Sequence, residues 1–288
     1  MGARGTSPGA RCVGRRNAHS VSAIQIPDRE VRERLSGLAD LPMLPEEAPV
    51  GTLDLLFDAL GSDDPHLREE IAARTLGRWI VVQHVLPSEP MRLLHQRACG
   101  QAGALQHLGE SGTTSVFRRS FSILLLAFIH AADNRTEFLT DDEWASSAHT
   151  LVSYGQGEQD VRAKVPHLGW AHAIAHAADL ADELAKSPRC SHGVAAQILS
   201  ALGDLVARAR EPFRGEEEDR VAVAIAALLE NRLITWDDLT RAMGSAPASL
   251  DEARRINWKG IVRSLYFRLD GGEVRERAAA LQAELTIV

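Results

Sequence analysis

Apolar residues recur at helical spacing in one segment after another from Gly51 to the end of the chain, and this periodicity constrains the fold more than any other feature. In the first such segment, Leu53, Leu56 and Phe57 lie on one face of a helix. Residues 115–132 are apolar almost all round, which is typical of a central helix. No segment shows the strict alternation of a half-buried strand. The pattern predicts an all-α protein.

The predicted helices number about ten or eleven, and the links between them are short. Short links favour antiparallel neighbours, so we expect a HEAT-like stack of antiparallel helix pairs, as a degenerate α-solenoid or a helical bundle. No strict repeat period is visible. Capping boxes, Thr140 with Glu143 and Thr235 with Asp238, predict the starts of two helices, and the stretch 154–158, with two glycines, predicts a loop. We expect one helical domain over residues 28–288. Residues 1–27 contain four arginines and no acidic residue, which predicts a disordered basic tail.

Composition narrows the function class and the compartment. A net charge of −7 argues against a nucleic-acid partner, because neutralising phosphates needs a surplus of Lys and Arg. The three cysteines form no CxxC pair, and their odd number argues against a disulfide framework, so we expect a cytoplasmic protein. The longest uninterrupted apolar run, 123–129, is shorter than the roughly 18 residues of a membrane span, and we expect no membrane contact.

The stretch from Gly169 to Leu180 is the most informative part of the chain. In a helix predicted over residues 168–186, Trp170 and Ile174 lie on one line, and His172, His176 and Asp179 lie on the opposite line. No Lys, Arg or Glu occurs between Lys164 and Glu183, although an exposed helix face normally carries several. The histidine side is therefore expected to be covered or to line a cleft.

Three interpretations of the two histidines stay open, and a structural network of buried polar groups ranks first. A solvated face is the weakest of the three. In the second interpretation, His172 and His176, one turn apart, bind a divalent metal, with Glu158 or Asp160 as a third ligand. Alternatively they act as acid and base beside Asp160. Asp179 is too far along the helix to bind the same ion, so we expect it to orient His176.

Two arginines, Arg118 and Arg119, precede the apolar run of the predicted central helix. An arginine that enters a buried helix usually has a carboxylate partner. The candidates considered for this role are Glu69, Asp133, Asp160 and the acidic block 216–219. The nearby residues Asp160 and Arg162 are expected to form an ion pair with each other.

Several segments also carry a family resemblance: His66-Leu-Arg-Glu-Glu, Val116-Phe-Arg-Arg-Ser-Phe-Ser, Asp160-Val-Arg, the histidine stretch from Gly169, and Gly215-Glu-Glu-Glu-Asp-Arg-Val-Ala. Together they span roughly residues 50–230 and resemble an uncharacterised bacterial family, domain of unknown function 2785. The chain departs from the family pattern at Ala163, where a glycine tends to follow Asp-x-Arg. The resemblance implies a helical domain and no established activity. It also implies one shared constellation of polar residues: Arg119, Asp160, Arg162, His172, His176 and Asp179.

Two classes of function follow from these observations. The first is a scaffold that binds a small molecule, a peptide or a protein in a polar cleft lined by Arg119, Arg162, Trp170 and Asp179. The second is an enzyme of the metal-dependent hydrolase or oxygenase type. In that enzyme the two histidines of the predicted helix, His172 and His176, would be metal ligands or acid and base.

Overall fold

The computed structural model describes residues 28–38, 51–244 and 250–286, and 69% of them are helical. The predicted all-α class is confirmed. The predicted tail, residues 1–27, lies outside the described residues.

The α-helices are α1 (Asp28–Ser36), α2 (Thr52–Ala59), α3 (Arg74–Gly77), α4 (Ser88–Cys99), α5 (Ser115–Thr136), α6 (Asp141–Gly157), α7 (Ala173–Lys186), α8 (His192–Arg208), α9 (Glu217–Glu230), α10 (Trp236–Ala242), α11 (Glu252–Arg268) and α12 (Gly272–Glu284).

Helix α3 is the middle of a longer helical segment. The flanking turns, His66–Ala73 and Arg78–Val82, are wound as π-helix, a rare winding that is frequent at functional sites. The N-terminal π-helical turn carries Arg68 and Glu69. Both side chains reach a segment a hundred residues further along the chain, which is described with the candidate site below.

The helices from α4 onward alternate between two layers. In one layer α5 packs against α7, α7 against α9, and α9 against α11; in the other α4, α6, α8 and α10 follow one another in the same way. This alternation fits helix pairs stacked side by side, while HEAT-like repeat geometry itself stays a prediction. A large hydrophobic cluster runs through both layers and extends from Val31 to Leu285, and a smaller one, which includes Phe117 and Ala173, lies at the start of α5 and α7.

The helices α5, α7 and α9 are parallel neighbours. Near the N-terminal ends, Ser120 of α5 is hydrogen-bonded to His176 of α7, and Asp179 of α7 pairs with Arg220 of α9. Near the C-terminal ends, Asn134 of α5 donates to Glu183 of α7, and the side chain of Asn231, just after α9, donates to the carbonyl of Ala185 of α7. The N-terminal turns of three helices therefore meet at one edge of the layer.

Helix α5 is the central helix that the apolar pattern predicts. It is the one described helix that is long and apolar enough to cross a membrane, and 72% of its most apolar window is buried inside the fold. Core helices meet the same length and hydropathy criterion, so the criterion assigns no membrane span here.

The sequence placed most helix starts correctly, with specific exceptions. The predicted capping boxes of Thr140 and Thr235 are formed. The stretch 154–158, predicted as a loop, is helical to Gly157. The helix predicted from 168 begins only at Ala173, and the residues before it contain a two-stranded antiparallel hairpin, β1 (Lys164–Val165) and β2 (Gly169–Trp170).

Candidate binding site at the start of three parallel helices

The candidate site lies where the first two turns of α5, α7 and α9 meet. We call it the histidine edge, and its members are Ser120, Trp170, His172, His176, Asp179 and Arg220. The structure thus brings four of the predicted site residues together, Trp170, His172, His176 and Asp179. It adds Ser120 and Arg220, which sequence reasoning did not single out.

The hairpin that precedes α7 is clamped by the π-helical turn. The Arg68 guanidinium, fully buried against the Phe117 ring at 3.7 Å, donates to the carbonyl of Leu168 at 2.6 Å. The Glu69 carboxylate accepts from the amide of Trp170 at 3.0 Å. Gly169 has φ of +85°, and a Cβ there would lie 2.5 Å from Glu69 Oε1. These contacts hold residues 169–170 in strand β2, which explains why the predicted helix starts late.

His172 is the last residue before α7 and adopts the left-handed backbone conformation, with φ of 50°. Its imidazole stacks on the Trp170 indole, with ring centroids 4.5 Å apart and planes 5° apart. Its Nδ1 is buried and has no hydrogen-bond partner. Burial, and to a lesser extent the nearby Arg220 cation, lowers the His172 pKa to about 4, so the ring is neutral at pH 7.

His176, in contrast, is buried and only 3% exposed. The Ser120 hydroxyl donates its single proton to the carbonyl of Ala171. Therefore His176 Nδ1, 2.8 Å from Ser120 Oγ, must carry the proton of that hydrogen bond, and Nε2 keeps a lone pair. Burial lowers the pKa of His176 well below its usual range, and the nearby His172 adds to this, so the ring stays neutral.

Asp179 pairs with Arg220 of α9, with 2.6 Å between Oδ2 and Nη1. The prediction that Asp179 orients His176 is therefore wrong. Burial raises the Asp179 pKa to about 6, and Arg220 offsets only part of this effect. The carboxylate of Asp179 is thus used to link two helices of the layer.

The remaining predicted site residues form a separate cluster next to the start of α5. Arg119 and Glu158, both fully buried, form a bidentate ion pair with distances of 2.5 and 2.9 Å. Glu158 was not among the partners considered for Arg119, so that part of the prediction needs correction. The predicted pair of Asp160 and Arg162 is confirmed, with 2.6 Å between Oδ1 and Nε. Asp160 also accepts from the amide of Gly112, so the cluster braces the loop before α5.

The structure does not assemble the predicted metal site. The carboxylates of Glu158 and Asp160 are bound to Arg119 and Arg162. Within the described ranges, no three His, Cys, Asp or Glu side chains are arranged to hold a metal ion. His172 and His176 remain close, with ring centroids 5.5 Å apart, but they lack a third ligand.

A second group of buried polar side chains lies between α4, α5 and α6. His95 Nε2 is 2.7 Å from Ser147 Oγ and 3.6 Å from Cys99 Sγ. His130 lies edge-on to His95, and neither of its ring nitrogens has a hydrogen-bond partner. Complete burial lowers the pKa of His130 to about 3. Sequence reasoning missed this group because its members come from three different segments.

The sequence did carry a signal for some of the missed contacts, both at the histidine edge and in the clamp on the hairpin. Arg68, Glu69 and Ser120 all belong to segments that resemble the family. Gly215 lies in another such segment; a Cβ there would be 3.0 Å from the Trp170 indole and 3.2 Å from the His172 ring. These segments therefore converge on the histidine edge in three dimensions.

Comparison with known proteins adds a family and no activity. The model of the family described as Protein of unknown function (DUF2785) matches residues 105–267, from just before α5 to near the end of α11. The match includes every member of the histidine edge. No protein of curated function and no solved structure matches the chain.

Proposed function

The chain belongs to the family Protein of unknown function (DUF2785), and because that description carries no activity, we propose a function from the geometry of the histidine edge. In this proposal the chain is a helical scaffold that binds a small organic ligand or a peptide through a planar polar group. The contact surface is the half-buried Trp170–His172 stack at the start of α7.

The environment of His172 carries this proposal. A left-handed backbone at a residue other than glycine costs about 1–3 kcal/mol, and a buried nitrogen without a partner costs a similar amount. In addition, α7 begins without a side-chain cap. Features that lower stability and lie together at a half-buried position are typical of binding sites, where selection acts on function and not on stability.

The chemistry of the edge favours a particular kind of ligand. A neutral imidazole stacked on an indole offers a flat aromatic surface to a planar group. Uncapped amides at the start of a helix favour a carboxylate or the oxygen of a carboxamide. Lys164 Nζ, 5.1 Å from the centroid of the Trp170 ring, adds a positive charge on the exposed side. We therefore propose aromatic carboxylates and carboxamides, free or in a peptide, as the ligand class.

A second candidate function rests on the tautomer of His176. Its Nε2 keeps a lone pair and makes no hydrogen bond with any described residue. A neutral imidazole held through Nδ1 is the arrangement of a general base. In this alternative the chain is an enzyme that removes a proton from a ligand bound next to His172.

Histidine-ring NMR with a library of aromatic carboxylates and carboxamides tests both candidates. We expect some fragments to shift the ring signals of His172 in the wild type. The His172→Asn variant should lose this binding and keep its fold, because Asn tolerates the left-handed conformation. His149→Asn, on the exposed face of α6, is the matched control and should bind as the wild type does.

The outcomes separate the candidates. If no fragment shifts His172, or if His172→Asn binds the same fragments equally well, the scaffold proposal is wrong. Conversion of a bound fragment to a new compound by the wild type, and not by His176→Asn, would support the enzyme. The Asn side chain retains a group at the position of Nδ1 and removes Nε2, so this variant tests the lone pair and not the bond to Ser120.

A further inference from the structure

Helix α11 presents an apolar and basic face that no other described element covers. Ile256, Gly260, Arg263 and Phe267 follow one another at i, i+4, i+7 and i+11, which places them on one line along the helix. Ile256 is 42% exposed and Phe267 is 74% exposed. Three of the five large apolar side chains exposed among the described residues belong to this one helix, so the exposure is concentrated here.

A groove runs along this face between α11 and the first turn of α9. It consists of two adjoining cavities of about 240 and 160 Å³, both lined by Glu218, Gly260 and Arg263. Phe267 lines one end and Ile256 the other. Gly260 forms the floor, because a Cβ there would lie 3.3 Å from the Cβ of Glu218. From residue 256 to residue 267 the groove is about 16 Å long, the length of three helical turns.

The charges around the groove indicate what it would accept. Lys259 and Arg263 line it and make no hydrogen bond or ion pair with any described residue. Arg254 and Arg268 of the same helix are paired, by contrast, with Asp251 and Asp219. Lys259 and Arg263 are four residues apart on the same helix, so the two unpaired cations lie next to each other beside the apolar line. They favour a partner with acidic residues next to its apolar ones.

We propose that this groove, defined by Ile256, Lys259, Gly260, Arg263 and Phe267, docks an acidic amphipathic helix of a partner protein. The apolar side of that helix, spaced at i, i+4 and i+7, fills the groove between Ile256 and Phe267. Its flanking Asp or Glu residues pair with Lys259 and Arg263. A concave groove with the length of three helical turns fits a helix better than the flat surface of an anionic membrane.

A peptide display library tests this surface. The library consists of 16-residue peptides with variable apolar residues at i, i+4, i+7 and i+11 and fixed Glu at the flanking positions. The library is selected on the full chain and counter-selected on the double variant Arg263→Glu/Phe267→Ser, which we call the groove variant. Both of these side chains are exposed in the wild type. Leu93→Ser/Arg277→Glu removes an exposed apolar residue and an exposed cation elsewhere and is the matched control.

We expect enriched peptides to bind the wild type and the control equally in fluorescence anisotropy, and the groove variant at least tenfold more weakly. Replacing the flanking Glu by Lys in the same peptides should also weaken binding at least tenfold. If the groove variant does not fold, Lys259→Glu replaces it. Vesicles of phosphatidylglycerol, an anionic lipid, are tested in parallel. Three outcomes would overturn the proposal: no peptide is enriched on the wild type relative to the groove variant, the peptides with Lys in place of Glu bind equally well, or the chain binds only the vesicles.

Discussion

His172 and His176 differ in their environment although one helical turn separates them. His176 is buried, and its hydrogen bond to Ser120 links the N-terminal parts of α5 and α7. His172 stacks on Trp170 in a strained backbone conformation and lacks a hydrogen bond at Nδ1. Substitutions should therefore affect stability at one position and ligand binding at the other.

The bond between His176 and Ser120 can be tested with two substitutions at one position. His176→Ala leaves the Ser120 hydroxyl without this partner and should lower the free energy of unfolding by about 1–3 kcal/mol. His176→Asn keeps a polar group at the position of Nδ1 and should cost clearly less. Urea unfolding at pH 7 gives both values. Equal losses for the two variants would show that the hydrogen bond is not what stabilises this site.

His130 provides the opposite case, a buried polar ring without a partner. Replacing it by Leu removes two unsatisfied nitrogens, and we expect the free energy of unfolding to rise by about 1–2 kcal/mol. The control is His95→Leu, which removes the hydrogen bond to Ser147 Oγ, leaves that hydroxyl only the 3.7 Å contact with Cys99 Sγ, and should lower stability. Thermal and urea unfolding of both variants measure the difference. A loss of stability in His130→Leu as large as in His95→Leu would contradict this account.

Among the elements, the hairpin before α7 decides the geometry of the histidine edge. Its second strand, β2, ends at Trp170, and α7 begins only at Ala173. His172 therefore lies outside the helix. Arg68 and Glu69 hold the hairpin from another helix, and Gly169 makes room for them. The position of His172 therefore depends on contacts between distant parts of the chain.

Gly169→Ala tests this dependence. Because φ is +85° and the new Cβ would approach Glu69 Oε1, we expect the free energy of unfolding to fall by about 2 kcal/mol or more. Gly193→Ala is the control, since this glycine lies in the first turn of α8 with its nearest neighbour 3.9 Å from the new Cβ. That substitution should be neutral or slightly stabilising. If both variants unfold at the same urea concentration, the clamp does not hold the hairpin as described.

For the whole molecule, buried neutral histidines predict a loss of stability in acid. The pKa values of His95, His130, His172 and His176 are all lowered in the folded state, mainly by burial. Below pH 6.5 the unfolded chain binds protons at these residues and the folded chain does not. Their contribution to stability is therefore complete above pH 6.5 and is lost as the pH falls, with a slope of up to about 1.4 kcal/mol per pH unit for each histidine.

Asp179 has the opposite effect on the pH dependence of stability, because its pKa is raised from 3.8 to about 6 in the folded state. Between these values the folded chain holds a proton that the unfolded chain has lost, so this contribution grows as the pH falls. Burial also raises the pKa of Asp182, so four histidines stand against two aspartates, and we expect the free energy of unfolding to decrease from pH 7 to pH 5. Urea titrations at several pH values measure this slope. His130→Leu should flatten it and Asp179→Asn should steepen it; a slope of the opposite sign in the wild type would refute the assignment.

The sequence by itself determined the class of the fold, the central place of α5 and the starts of α6 and α10, because helical periodicity and capping depend on residues within a few turns. It also found the Asp160–Arg162 pair, whose members are two residues apart. The partners of Arg119 and Asp179 lie 39 and 41 residues away along the chain, and only the tertiary structure decided them. The start of α7 was decided by Arg68, a hundred residues distant, because clamping contacts of that kind override a local helical pattern.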